Sequence, residues 1–291
     1  MRERTPFPGA LISRLPNLKF LLTTGLRNAS LDLPAFKAHA IPVVGVMGRS
    51  APRGPDSTTQ HCVALTLAIA RNLAQDDLSI KAGGWQTGYA TPLAGRVFGT
   101  VGLGRLGAAV AKIMHQAFGM RVIAWSPNLT QAAADEKARA VGLPVEGEDG
   151  EKTFKAVLKE ELFRTADVVN IHVVLSDRSR GLIGTKDLEL LKPSALFVNT
   201  SRGPIVVEKD FLELLGKGGI RAAALDVFEI EPLPADSPWR TTKWGEEGRS
   251  HVLLSPHMGY VEESSMRKWY DLQVEVIQQW QRGEDFTNRL A

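Results

Sequence analysis

Residues 98–113 read FGTVGLGRLGAAVAKI and set Gly102, Gly104 and Gly107 in the spacing G-x-G-x-x-G. The apolar run RVFGTV ends at the first glycine, and LGAAVAKIMHQAF follows with helical periodicity until Gly119 stops it. A glycine triplet alone is a weak signal, but this one sits between a strand and a helix. Each glycine then has a physical task. Gly102 permits the tight turn, Gly104 lets the backbone approach a pyrophosphate, and Gly107 lets the helix lie close to the strand. The helix N-terminus adds free N–H groups and a partial positive charge. The bland alternative is a turn that takes glycine for steric reasons only. A phosphate-binding Walker loop is excluded, because no Gly-Lys-Ser/Thr follows.

The rest of the chain repeats the strand–helix alternation. RVIAW, ADVVNIHV, ALFVNTS, AAALDVF and HVLLS are strand candidates, with helices expected at QAAADEKARAV, near TKDLELL and at DFLELL. EGEDGEK (146–152) reads as a polar insertion and DSPWRTTKWGEEGRS (236–250) as a long loop. This pattern predicts an α/β fold with a doubly wound parallel sheet. Upstream lie a strand in KFLLTTG (19–25), a short helix in LDLPAFKAH (31–39) and a strand in IPVVGVM (41–47). The Pro/Gly/Ser-rich stretch 49–57 reads as a connector, with Thr58 and Thr59 offering an N-cap to HCVALTLAIARNLA. In the last helix Met266, Trp269, Tyr270, Gln273, Ile277 and Trp280 form a stripe expected to pack in a core.

The chain has 291 residues, room for two modest domains. A net charge of +3 without a long Lys/Arg block argues against a nucleic-acid surface. No apolar run reaches membrane-spanning length, and residues 1–17 lack the apolar stretch of a secretory signal. Cys62 is the single cysteine, so no internal disulfide forms, which suits a reducing compartment. A cytoplasmic protein is expected. His39, His61, His115 and His251 show no metal-ligand spacing, so no metal is expected. No G-x-S-x-G elbow is present, and Cys62 lies in a buried-looking helix, so nucleophilic catalysis has no support.

The second strand bears on the cofactor. An NAD-selective dinucleotide fold usually carries an acid at its end to hold the ribose. Here RVIAW runs into Ser126-Pro127-Asn128. A neutral serine does not repel a 2′-phosphate, and no arginine directly follows, though Arg105 in the glycine loop is a candidate. NAD and NADP both stay open.

Downstream, NTSRGPIV with Arg202, LDVFEIEPLP with Asp226, Glu229 and Glu231, and SPHMGY with His257 place ionisable groups just after strands. Ligands sit at those ends in such sheets. Together with TVGLGRLG, and in this order, these motifs resemble the D-isomer specific 2-hydroxyacid dehydrogenase family. The likeness runs from about Thr23 to the C-terminus, and AFGMRVIAWSPNLT resembles its phosphoglycerate/hydroxyacid branch.

The resemblance implies a Rossmann domain over residues 57–263 and a smaller flavodoxin-like α/β substrate domain from 1–56 plus 264–291. That smaller domain is expected to be truncated, since MRERTPF aligns well inside the family's substrate domain. Loss of its leading strands should leave apolar surface and an unpaired edge. Arg202 matches the arginine that grips the substrate carboxylate, His257 the acid/base at the carbonyl oxygen, and Glu231 the carboxylate that pairs with that histidine. Asp226 matches a contact to the nicotinamide carboxamide. Gly102, Gly104, Arg105, Leu106, Gly107, Ser126, Thr200, Ser201 and Gly259 complete the implied cofactor site. Thr24, Gly25 and Leu26 match a loop whose backbone N–H groups meet the substrate carboxylate. His172 matches a position beside the nicotinamide, with packing or hydrogen bonding as its expected role, and Glu229 is expected to be a solvated charge. Thr59-Gln60 stands where the family more often has Ala-Glu. The implied activity is hydride transfer between NAD(P)H and a small 2-keto or 2-hydroxy acid, such as a glyoxylate- or hydroxypyruvate-like acid, by a homodimer. The alternative is a regulatory NAD(H)-binding protein of the same fold, as in the C-terminal-binding corepressors. Retention of Arg202, Glu231 and His257 favours the enzyme.

Overall fold

The computed structural model describes residues 6–26, 30–46 and 54–291. Most of the 49–57 connector, and the last residue of the IPVVGVM stretch, lie outside the described residues. The chain divides into two compact units, Met1–Gly54 with Val261–Ala291, and Pro55–Tyr260.

The smaller unit opens with a one-turn helix α1 (Gly9–Ile12), followed by strand β1 (Leu21–Thr24), helix α2 (Leu33–Ala38) and strand β2 (Val43–Val46). Asp32 joins the two helices. One carboxylate oxygen accepts the Ala35 N–H at 3.1 Å, capping α2, and the other accepts the Gly9 N–H at 3.1 Å. The strands pair in parallel, Leu21 opposite Val43 and Thr24 opposite Val46. Ile12, Leu21, Leu31, Phe36, Ile41 and Val43 form the core between them. The free edge of β2 is covered by the chain's last residues: Val43 N–H donates to Ala291 O at 3.1 Å, and Leu290 N–H donates to Val43 O at 2.7 Å. The unpaired edge expected on the sequence is therefore absent on that side.

The larger unit holds α3 (Ser57–Ala70), α4 (Leu73–Lys81), β3 (Val97–Val101), α5 (Arg105–Phe118), β4 (Arg121–Trp125), α6 (Gln131–Ala140), β5 (Phe154–Ala156), α7 (Lys159–Thr165) and β6 (Val168–Ile171). It continues through α8 (Thr185–Leu188), β7 (Leu196–Asn199), α9 (Glu208–Gly216), β8 (Ala222–Leu225), α10 (Pro238–Thr241) and β9 (His251–Leu254). Helix α11 (Glu263–Gln281) belongs to the smaller unit. The seven strands form one sheet in the order β5-β4-β3-β6-β7-β8-β9, all pairs parallel. Every residue of β6, β7 and β8 is buried, as a sheet covered on both faces demands. Chain direction across the sheet reverses between β3 and β6. In such sheets ligands bind outside the carboxyl ends of the strands beside that switch point.

Four local expectations are corrected. The N-cap of α3 is Asp56, whose carboxylate accepts the Thr59 N–H at 2.9 Å, not Thr58 or Thr59. Strand β5 and helix α7 follow the 146–152 insertion, where none was expected. Residues 236–250 are not all loop. Ser237-Pro238 starts α10, and Trp239 on it is buried, donating its indole N–H to Glu208 at 2.9 Å. The stripe on α11 is not core: none of its residues is buried, and Tyr270 is 61% and Trp280 40% exposed. A two-stranded sheet offers too little apolar face for a 19-residue helix; Phe20, stacked on Trp280 at 5.4 Å, covers only part of it.

Candidate active site

The glycine loop sits at the carboxyl end of β3, beside the switch point. Gly102 has φ +103, and its N–H donates to Trp125 O at 2.8 Å. A β-carbon on Gly107 would lie 2.1 Å from the Gly102 carbonyl oxygen, so α5 approaches the loop as only glycine allows. Gly104 caps α5 without any side-chain hydrogen bond, and a β-carbon there would meet nothing within 4 Å. The first amide to bond within the helix is that of Ala108, to Gly104 O at 2.9 Å. The N–H groups of Arg105, Leu106 and Gly107 thus precede the helical ladder, at the positive end of a 14-residue helix, beside open space. This is the shape and charge that a dinucleotide pyrophosphate requires, and the residues fit that group.

Ser126 lies half-buried just past β4, its carbonyl accepting the Leu129 N–H at 3.1 Å. No carboxylate stands at that position. Arg105 is the first residue of α5 and is paired with Asp56, the cap of α3. Burial acts to raise the Asp56 carboxyl, but the Thr59 N–H and the Arg105 guanidinium outweigh it and hold it below the ordinary carboxylate range.

Two of the three downstream motifs bring ionisable groups together: Asp226 and Glu231 from one, His257 from the other. His257 Nδ1 lies 2.7 Å from Glu231 Oε2, with side chains only 11% and 13% exposed. A carboxylate only accepts, so Nδ1 carries the proton toward Glu231. The second Glu231 oxygen accepts the Phe228 N–H at 2.9 Å, which fixes the carboxylate itself. Asp226, 1% exposed at the end of β8, takes the Met258 N–H at 2.7 Å and the Gly259 N–H at 2.9 Å. His257 between these contacts and Glu231 has φ +57, left-handed backbone that few residues adopt. Gly259 is buried, and its amide is spent on Asp226.

Arg202 follows β7 in a turn built by Asn199, whose side chain accepts the Ser201 N–H at 3.0 Å and donates to Arg202 O at 3.1 Å. Ser201 Oγ donates to Val173 O at 2.6 Å, and Thr200 is buried beside it. A β-carbon on Gly203 would lie 2.1 Å from the Phe228 carbonyl carbon. The Arg202 turn therefore rests on the same Phe228–Glu229 segment that Glu231 grips. Glu229 is exposed, with Arg180 at 3.5 Å.

His172 lies behind the glycine loop, its backbone against Gly102, and burial pushes its imidazole down to about 4. Its Nε2 is 3.9 Å from Cys62 Sγ, which donates to Asn170 at 3.0 Å. Burial pushes the Cys62 thiol up to about 12, so it stays protonated and is no nucleophile. Among the described residues no group of three or more His, Cys, Asp or Glu is placed to hold a metal, and no helix is long and apolar enough to cross a membrane. In the smaller unit, Thr24 ends β1, and Gly25 and Leu26 follow it. Gly25 has φ +82 and donates to Val46 O at 2.8 Å. One member of the network was not anticipated: His61, on α3, lies 3.1 Å from Asp226 Oδ1 and 3.0 Å from Ser255 Oγ. No spacing signals it, because 165 positions separate it from Asp226.

Residues 63–259 match the model of the D-isomer specific 2-hydroxyacid dehydrogenase NAD-binding domain. The chain is 27% identical to a hydroxypyruvate reductase of Blautia hydrogenotrophica over 97% of its own length and 81% of that protein's. It is 32% identical to a D-3-phosphoglycerate dehydrogenase of Methanocaldococcus jannaschii over 98% of its length, but spans only 49% of that relative. The crystal structure of a phosphoglycerate oxidoreductase from Vibrio cholerae superposes with a TM-score of 0.81 at 32% identity, covering 97% of this chain and 82% of that one.

Proposed function

The chain belongs to the D-isomer specific 2-hydroxyacid dehydrogenases, oxidoreductases with an NAD-binding domain, and from that premise we propose that it reduces a small 2-keto acid to the D-2-hydroxy acid, and runs the reverse, with Arg202, Glu231 and His257 as its working side chains. The observation that carries this reading is the Glu231–His257 pair, 2.7 Å long and mostly buried at the carboxyl ends of the strands. A pure nucleotide sensor has no use for an oriented proton donor there.

A nicotinamide dinucleotide, held by the Gly102–Gly107 loop and the N-terminus of α5, supplies or takes the hydride when bound. The Arg202 guanidinium grips the substrate carboxylate through its planar fork and turns the keto group toward the imidazole. His257 gives a proton to the carbonyl oxygen as C2 becomes a hydroxyl-bearing carbon, and in the reverse direction takes it back. Glu231 keeps the ring in one orientation and stabilises the imidazolium. Asp226 has about one acceptor site left after its hydrogen bonds, enough for a carboxamide N–H.

The substrate class is glyoxylate- or hydroxypyruvate-like, the latter in keeping with the hydroxypyruvate reductase named above. Ser126 leaves the ribose position uncharged, so the cofactor is NADH or NADPH. Residues 57–263 form the dinucleotide-binding domain, and 1–56 with 264–291 the substrate domain. The protein acts as a cytoplasmic homodimer, a reading supported by its single buried cysteine and by the exposed apolar residues of α4. The test is oxidation of NADH and NADPH against a panel of 2-keto acids, beside a cofactor-binding titration. Arg202→Ala should lose about two to three orders of magnitude in kcat/KM, as expected for about 3–4 kcal/mol of lost anchoring, while cofactor binding is retained. Wild-type turnover in that variant would remove Arg202 from the mechanism. Cofactor binding without any oxidation by the unaltered protein would favour the sensor.

A further inference from the structure

We propose that His61, a residue outside the reacting set, is a positioning residue that locks the proton donor's loop in its working conformation; the proposal rests on the dehydrogenase reading above. The loop Ser255–Gly259 leaves β9 and carries His257 at φ +57. Left-handed backbone at a non-glycine residue is disfavoured, and it persists only where the surroundings over-determine it. Two fixtures supply that constraint. Glu231 holds the ring at 2.7 Å, and Asp226 holds the two amides that follow, Met258 N–H at 2.7 Å and Gly259 N–H at 2.9 Å.

Asp226 can do this only if its own carboxylate is fixed. It is 1% exposed and ends a strand whose residues are all buried. Among the described residues His61 is the one side chain that hydrogen-bonds it, with Nε2 3.1 Å from Oδ1. The same nitrogen lies 3.0 Å from Ser255 Oγ, at the other end of the loop. Because the carboxylate accepts only, Nε2 carries the proton and shares it between Asp226 and Ser255. One imidazole thus ties the start of the loop to the aspartate that holds its end. Gly259 packs against the same groups: a β-carbon there would lie 3.2 Å from Asp226 Oδ2, 3.5 Å from Thr58 and 3.8 Å from the His61 ring. The lock joins α3, β8 and the β9 loop within one unit. It leaves His257 Nε2 aimed by geometry rather than by substrate, the preorganisation that a proton transfer needs.

The experiment compares His61→Ala with His61→Gln, whose amide N–H can replace the Nε2–H donor. For the alanine variant the expectation is a 10- to 100-fold fall in kcat, a larger solvent isotope effect on kcat, and a KM for the keto acid and an NADH Kd within threefold of the unaltered protein. Glutamine should recover at least tenfold of the loss. A merely structural role would lower stability and active fraction but would leave the isotope effect unchanged and give glutamine no advantage. Hydrogen exchange of the Met258 and Gly259 amides, read on the same proteins, should rise at least tenfold in His61→Ala and return with glutamine. That measurement needs no turnover. If the unaltered protein reduces no 2-keto acid, the dehydrogenase reading fails while the exchange result still decides the lock. Unchanged amide exchange, or an alanine variant with unaltered kcat, overturns the lock whatever the substrate proves to be.

Discussion

Burial of His172 behind the glycine loop links stability to pH. Folding holds its imidazole at about 4, against an ordinary value of 6.5. Between those values the unfolded chain binds a proton that the folded chain does not. The contribution is therefore complete above pH 6.5 and is lost as pH falls toward 4. Its ceiling is about 3 kcal/mol, because each tenfold change in proton affinity is worth about 1.4 kcal/mol. Urea unfolding at pH 7 and pH 5 should show a drop in the unaltered protein that is clearly smaller in His172→Asn. Equal drops would place the titrating group elsewhere. A second residue-scale prediction concerns Glu231→Gln. The amide keeps an acceptor for His257 Nδ1–H but withdraws the negative charge that stabilises the imidazolium. Turnover should fall within the roughly 10²–10⁴-fold range of general acid–base effects, with NADH binding unchanged. Residues such as Glu231 and His257 were legible because each stands in a motif that a resemblance can match. His61 was not, since its partners are Asp226 and Ser255, and only the folded sheet brings those three together.

At the scale of elements, Gly104 and Gly107 should separate binding from folding. A methyl on Gly107 meets the Gly102 carbonyl oxygen at 2.1 Å, backbone against backbone, with neither side able to yield cheaply. Gly107→Ala should cost about 1–3 kcal/mol, as overpacking does, and weaken NADH binding at least tenfold. A methyl on Gly104 meets no protein atom within 4 Å. Gly104→Ala should melt like the unaltered protein yet bind NADH poorly, because the added carbon stands where the pyrophosphate must approach. Normal binding in both variants would move the dinucleotide away from this loop. Legibility of the elements followed the same physics. Strands β6, β7 and β8 are buried along their whole length, so each reads as an apolar run, interrupted only by Asn170 in β6 and Asn199 at the end of β7. Strand β5 has three residues with Lys155 exposed at its centre, at the sheet edge, and carries no such signal. Helix α10 has four residues, and its buried Trp239 is held by packing and by Glu208, 31 positions away. The α11 stripe shows the opposite failure: periodicity reports which face is apolar, not whether this chain covers it.

What covers such faces is a question for the whole molecule. Helix α4 has no buried residue, and Leu73, Leu78 and Ile80 are all more than half exposed. Trp85 and Tyr89, just beyond it, are 72% and 93% exposed. Scattered apolar residues need no explanation, but five within seventeen positions form the kind of surface that soluble monomers rarely leave in water. The homodimer proposed above would cover them, and that proposal is separable from stability. Leu73 and Ile80 lie seven residues apart, on one side of α4. Replacing both with Glu changes side chains that touch little within the chain, so thermal unfolding of the isolated protomer should move by no more than about 0.5 kcal/mol per site. The dimer should instead shift to the monomer, because two charges per protomer would be buried against an apolar partner face. Sedimentation velocity at micromolar concentration reads this directly. A dimer that survives both substitutions and falls to the monomer on Trp280→Glu would transfer the interface to α11, the other helix with an uncovered apolar stripe. A monomer at all concentrations in the unaltered protein would leave both faces without a partner copy and end the homodimer reading.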